Sequence, residues 1–246
     1  MTLLYTIIAL VAVSVGSVLL SSLLLLLRKK QLEIVSQYLL YLAGGVLLGS
    51  ATLALIPEAA ENITLSEILA WLTVGIVFFF ILEKVILWRV CNDTNCERQN
   101  HAAAPMILAG DAIHNAIDGV LIAGAFLTSV ELGFFVTLSV MLHEIPQELC
   151  DFGILIKSGY SRRKALIWNM LSGCSALIMG IVAFFVLKQV EAIVPYVLVV
   201  AAAGFIYISL ADLIPEMHKE TKPAKSIIQL ALILLGIGII LLNHEH

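Results

Sequence analysis

His114 and Asp118 stand at i and i+4, and the pairs His143/Gln147 and Glu144/Glu148 repeat that spacing on a second segment. Residues four apart share one face of a helix, so each segment presents imidazole, carboxylate or amide groups in a strip. Asn115 sits beside His114, and Asp111 lies one turn earlier and extends the first strip. Both segments are embedded in long apolar runs, where ionisable side chains are costly and mark an ion or substrate path by default. Imidazole suits zinc, iron or copper, while carboxylate and amide oxygens loosen a site and admit Mn2+ or Fe2+. No thiolate joins the set unless Cys150 turns in. A mixed nitrogen and oxygen site binds, exchanges and releases, as conduction requires. Carboxylates at Asp118 and Glu144 offset a divalent charge in a low dielectric.

The elements that must position these groups follow from their spacing. Only a few residues around Ser129 separate the two segments, which predicts an antiparallel helical hairpin. His114 falls about 15 residues before that turn and His143 about 14 after it, so both lie roughly 20 Å along their helices. The hydrocarbon core is about 30 Å thick, which puts both imidazoles near mid-membrane and level with each other. Pro146 lacks an N–H and clashes with the carbonyl of Leu142, bending the helix beside the candidate ligands. Irregular backbone at that depth is tolerated where it lines a cavity. Gly110, Gly119 and Gly124 allow close helix approach.

Composition supports the membrane setting. Of 246 residues, 61% are hydrophobic and 13% charged, with a mean hydropathy of +1.02. Soluble domains run near half apolar and a quarter charged. The net charge of -4 gives no support to nucleic-acid binding. Cys150 and Cys174 lie in apolar runs. Cys91 and Cys96 share a short polar segment with His101; their spacing could hold a metal, but no second pair completes a four-ligand site.

Apolar runs predict an all-α polytopic membrane protein with eight transmembrane helices in a single domain over residues 1–246. The spans fall at about 3–27, 38–57, 68–88, 104–127, 134–156, 165–187, 193–213 and 227–242. The first is too long for a signal-peptide core and reads as a retained span. The basic groups Arg28-Lys29-Lys30, Lys84/Arg89/Arg98, Lys157/Arg162/Arg163/Lys164 and Lys219/Lys222/Lys225 all fall on one side of such an arrangement, and Lys188 on the other. The positive-inside rule makes that side cytosolic and places both termini outside. Ile56-Pro57-Glu58 near the end of span two and Ile214-Pro215-Glu216 after span seven suggest inverted repeats, spans 1–3 mirrored by 6–8, around a central pair of spans 4 and 5.

The motifs His114-Asn-Ala-Ile-Asp-Gly119 and His143-Glu-Ile-Pro-Gln-Glu148, followed by Asp151-Phe-Gly and Ser158-Gly-Tyr, resemble the paired signatures of the ZIP (Zrt/Irt-like) family of divalent metal transporters. The likeness extends to Gly44–Gly49, Ile56–Glu58, Leu82–Lys84, Asn169–Ser172 and Asp212–Glu216, and span five is similar to the branch that reads HEIPHE. The resemblance implies eight spans with outside termini. It implies import of zinc, iron, manganese or cadmium towards the cytosol by alternating access through a two-metal centre. It places His114, Asp118, His143 and Gln147 at one metal and Asn115 and Glu144 at the adjoining one, with Asp118 able to bridge. Glu148 and Asp111 are expected beside the ligands rather than among them. Gln147 stands where the branch has a second histidine, and Ser50 and Ala54 stand where it often has Asp and His. The cation is cargo and no cofactor is expected. The expected partners are metal ions and the lipid bilayer, with a homodimer admitted and no nucleic acid. The expected location is a multi-pass position in the plasma (cell inner) membrane.

A different class of activity also fits part of the pattern. His143-Glu144-x-x-Gln147 resembles the zincin sequence H-E-x-x-H, whose Glu is a general base, and so suggests an intramembrane zinc metallohydrolase. The missing second histidine and Pro146 argue against it, and the expectation is a protein that is not an enzyme. No Walker A sequence is present, which argues against a self-contained ATP-driven pump.

Overall fold

The computed structural model describes residues 1–91 and 96–244, with side chains described outside 86–107, 157, 212 and 243–246. The side chains of Cys91, Cys96 and His101 therefore lie outside the described residues. Among the described residues the chain forms eight helices. These are α1 (Thr2–Leu24), α2 (Lys29–Ala60), α3 (Leu65–Cys91), α4 (Cys96–Thr128), α5 (Val130–Lys157), α6 (Arg162–Leu187), α7 (Glu191–His218) and α8 (Pro223–His244).

Six of them, all but α4 and α5, are long and apolar enough to cross a membrane by length and composition. The physical reason for the difference from eight equally apolar runs is visible in α5, which carries Glu131, Glu144, Glu148 and Asp151. The two helices that fall short are the two that carry the candidate ligands.

Helix ends follow local chemistry more closely than hydropathy does. The basic group after α1 does not lie in a long loop; Lys29 opens α2, and Arg28 N–H donates to Gln31 Oε1 at 3.4 Å. Hydropathy located the lipid-facing part of α2 near residue 38, but its polar first turns are helical as well. Thr64 and Glu67 form a reciprocal cap at the start of α3, with Thr64 N–H donating to Glu67 Oε2 at 2.9 Å and Glu67 N–H to Thr64 Oγ1 at 3.4 Å. Ser129 is the whole connection between α4 and α5, and its hydroxyl accepts from Leu132 N–H at 3.0 Å. Helix α5 stops at Gly159, whose φ of 87° suits a residue without Cβ. Tyr160 N–H bonds to Leu155 O and Gly159 N–H to Ile156 O, both at 3.0 Å, which is a Schellman stop.

Pro146 lies inside a continuous α5. Wide π-helical turns occur instead at Ser50–Leu55 in α2 and Ile208–Leu213 in α7, each running up to an Ile-Pro-Glu sequence. A proline ring clashes with the carbonyl four residues back. For Pro57 and Pro215 that residue lies inside the widened turn, which makes room for the ring. A third such turn covers Ala12–Gly16 in α1.

The bundle is apolar on its outer surface, and its largely apolar interior, with Leu10, Leu47, Phe126 and Phe205 buried, is interspersed with small polar side chains. Ser14, Ser17, Ser21, Ser50, Ser139 and Ser209 are buried, while Leu69, Trp71, Phe80, Ile178 and Leu234 are exposed. That pattern suits a lipid surround, where helices associate through small side chains and hydrogen bonds rather than by excluding water. Helices α4 and α6 pack most intimately, followed by α2 with α8 and α2 with α7, and then by α4 with α5, α1 with α6 and α3 with α7. Ser50 Oγ and Ser139 Oγ meet at 2.6 Å and tie α2 to α5. Ser21 Oγ donates to Ile145 O at 3.1 Å and ties α1 to the ligand-bearing stretch of α5.

Candidate metal centre

The antiparallel α4/α5 hairpin sets His114 and His143 opposite one another, with their Nε2 atoms 3.3 Å apart. Asp118 Oδ2 lies 3.2 Å from His143 Nε2 and 3.6 Å from His114 Nε2. Glu144 Oε1 lies 3.5 Å from His114 Nε2 and 3.7 Å from His143 Nε2. The same four atoms recur in every distance. Four ligands held at about 2.0–2.2 Å around one tetrahedral ion stand roughly 3.3–3.6 Å from each other. Five of the six edges of such a tetrahedron are thus in place at 3.2–3.7 Å, and the four residues offer ligand atoms that all lie within 4.8 Å of one another.

The orientation of the ligands is fixed by what lies behind them. His143 Nδ1 donates to Ser139 O at 2.9 Å, one turn back on α5. Such a bond selects the tautomer whose Nε2 carries the lone pair. The edge of the His143 ring meets Phe205 of α7 with centroids 6.1 Å apart, which supplies an apolar wall. Asp118, His143 and Glu144 are buried and His114 is half-buried, so one side of the cluster stays approachable.

The two amides are organised by Asp111. Asn115 Nδ2 donates to Asp111 Oδ1 at 3.0 Å and to its carbonyl at 3.1 Å. Gln147 Nε2 donates to the same Oδ1 at 3.2 Å. An amide whose NH2 is held in this way turns its oxygen elsewhere. Glu144, which the resemblance assigns to the adjoining metal, stands with the two histidines, and the contact Gln147 makes is to Asp111. Glu148 joins Asp111 and Glu144 in a second group whose ligand atoms lie within 4.8 Å of one another. Cys150 is exposed and does not turn into the cluster.

Sequence reasoning did not single out Ser139, and it named Asn169 only within the Asn169–Ser172 likeness, without a role. Asn169 lies on α6 and is fully buried. A lone amide inside an apolar run was the signal that could have found it.

The fold and this cluster define a multi-helix integral membrane protein with a candidate cation site between two of its helices. Comparison with known proteins is consistent with that class. A family model described as ZIP Zinc transporter matches residues 89–244. The chain is 39% identical over 142 residues to "Zinc transporter foi" of Drosophila melanogaster, covering 57% of this chain and 20% of that protein. It is 32% identical over 219 residues to "Zinc transporter ZIP13" of Pongo abelii, covering 83% of this chain and 65% of that one. It is 34% identical over 137 residues to the Danio rerio protein of the same name, covering 55% and 39%. The chain belongs to the ZIP zinc transporter family. It spans from 20% to 65% of the length of these relatives.

Proposed function

We propose that the chain carries Zn2+, and with it Fe2+, Mn2+ or Cd2+, across the membrane towards the cytosol. In this reading His114, Asp118, His143 and Glu144 hold the ion at mid-membrane, and the oxygens of Asn115 and Gln147 complete its surroundings. The observation that carries the reading is the 3.2–3.7 Å spacing among His114 Nε2, His143 Nε2, Asp118 Oδ2 and Glu144 Oε1. Two imidazole lone pairs and two carboxylates facing each other in a low dielectric are a stable arrangement only with positive charge between them. The metallohydrolase reading needs Glu144 free as a base, whereas its Oε1 is committed to the ligand set.

The proposed arrangement has eight crossings in a single domain, both termini outside, and inverted repeats of α1–α3 and α6–α8 about α4 and α5. The paired π-turns before Pro57 and Pro215 support that symmetry. Alternating access follows if the group that packs on the site, α1 with α4, α5 and α6, moves against α2 with α3, α7 and α8. The test is uptake by the purified protein in proteoliposomes containing a zinc indicator, with and without a proton gradient. Zinc entry above empty liposomes is the expected result, and no entry under either condition contradicts the reading.

Gln147 gives a prediction about selectivity. An amide oxygen binds zinc more weakly than imidazole does, so Gln147→His should lower the zinc concentration for half-maximal uptake by about tenfold. It should also reduce competition by Mn2+. Competition uptake with Zn2+, Fe2+, Mn2+ and Cd2+ checks this, and an unchanged order of preference would place Gln147 away from the ion.

A further inference from the structure

Between α4 and α6 the surface opens into a cavity of about 380 Å3. Its size falls within the range of about 300–1,000 Å3 usual for pockets that hold small molecules. Leu108, Ala109 and Ala112 of α4 form one wall, Trp168 and Leu171 of α6 the other, and Tyr160 enters from the α5–α6 connection. No carboxylate of the described residues lines it. The way the two helices pack accounts for the gap. They touch backbone to backbone at Gly119, where an added Cβ would lie 2.1 Å from Ala176 O. Two turns nearer the start of α4, the small side chains of Ala109 and Ala112 leave space that Trp168 and Leu171 do not fill. The hydroxyls on this side are turned to the backbone of α4. Ser172 Oγ donates to Leu108 O at 3.0 Å and Ser175 Oγ to Ala112 O at 2.6 Å. The cavity faces the surroundings rather than the centre of the bundle, since Trp168 and Leu171 are 43% and 57% exposed.

Positive charge stands at one end. Arg162, Arg163 and Lys164 open α6 and are exposed. Lys164 Nζ lies 4.3 Å from the centroid of the Tyr160 ring, so an ammonium rests on a residue of the cavity wall. Lys164, Trp168 and Leu171 follow at i, i+4 and i+7, which puts them on one helix face. They span about 10 Å at 1.5 Å per residue. In order that face offers a cation, an indole and an aliphatic chain. Indoles settle at the level of lipid headgroups, so the order matches the phosphate, glycerol and acyl chain of a lipid.

We propose that this cavity binds one anionic glycerophospholipid, with its phosphate against Arg162, Arg163 and Lys164 and an acyl chain laid between α4 and α6. A neutral lipid brings the same chain but gains nothing from the three cations, each of which favours an anionic headgroup by about fivefold. A soluble phosphate gains the cations but leaves the apolar cavity empty. The site is independent of the transport reading above.

The test uses the full chain with Trp168 as its one tryptophan (Trp71→Phe, Trp88→Phe), in phosphatidylcholine nanodiscs. Phosphatidylglycerol or phosphatidylcholine with dibrominated chains is added in increasing mole fraction, and bromine quenches an indole that it touches. Half-quenching of Trp168 is expected at a mole fraction at least tenfold lower for the phosphatidylglycerol. Arg162→Gln/Arg163→Gln/Lys164→Gln, at exposed positions, should bring the two curves together. Ala109→Leu, which fills the cavity from α4, should do the same with every charge in place. Glycerol 3-phosphate added from solution should leave the quenching unchanged. Native mass spectrometry of the unsubstituted chain should show one retained phosphatidylglycerol, so the result does not depend on any variant folding. The inference is overturned if the two brominated lipids quench alike and no phosphatidylglycerol is retained, or if the triple variant keeps the preference. Displacement by glycerol 3-phosphate would show an ion site that makes no use of the cavity, and a preference surviving Ala109→Leu would show attraction by a basic surface alone. Either result also overturns it.

Discussion

Asp118→Ala and His143→Ala should each reduce zinc uptake by on the order of a hundredfold or more while the protein still reaches the membrane. Loss of a group that merely orients a metal ligand costs about 10–100-fold in affinity, and these residues are proposed as ligands themselves. Asp118 Oδ2 lies within 3.6 Å of both imidazole Nε2 atoms and brings negative charge to the cluster. Its removal leaves the ion one ligand short and its charge less compensated. His143 is the imidazole held from behind by Ser139 O. Truncating it removes the donor whose direction the fold fixes best. Both positions are small-cavity truncations inside a helix, so surface delivery should persist. Radiolabelled zinc uptake together with surface labelling checks both halves, and undiminished uptake in both variants rejects the site.

Gly119→Ala should have the largest effect on stability. A Cβ at Gly119 would lie 2.1 Å from Ala176 O and 2.8 Å from Ala176 C. Both are backbone atoms, so no rotamer change relieves the clash and α4 must move away from α6. Overpacking of this kind costs about 1–3 kcal/mol, a fall of roughly 3–10 °C in the unfolding midpoint for a chain of this size. Asp118 is the preceding residue, so the displacement also reaches the ligand cluster and uptake should fall with stability. Gly153→Ala on α5 is the control, because a Cβ there meets nothing within 4 Å. Thermal unfolding in detergent should separate the two variants, and equal midpoints would show that the α4/α6 contact is not the constraint it is taken to be.

The α4/α5 hairpin, the level placement of the histidines and the membrane class were legible because each rests on a short-range rule. Spacing of four residues defines a helix face, apolar length defines a crossing, and a link of only a few residues around Ser129 defines a hairpin. Helix boundaries were less legible. Hydropathy reports contact with lipid, so the polar start of α2 at Lys29 and the end of α7 at His218 went unmarked. The π-turns were hidden as well; Pro146 sits inside a continuous helix while Pro57 and Pro215 follow widened turns. What decides the difference is packing against neighbouring helices, which local sequence does not carry. The same holds within the site. One strip of α5 offers both Glu144 and Gln147, and only the fold puts Glu144 with the imidazoles and Gln147 with Asp111.

Zinc K-edge X-ray absorption on the purified, zinc-loaded protein tests the central claim most directly, because it reads the atoms around the ion itself. The account predicts a four- to five-coordinate zinc with two imidazole nitrogens and oxygen ligands at about 2.0–2.2 Å, and one imidazole fewer in His143→Ala. A zinc–sulfur shell near 2.3 Å, or a spectrum unchanged by His143→Ala, would contradict it.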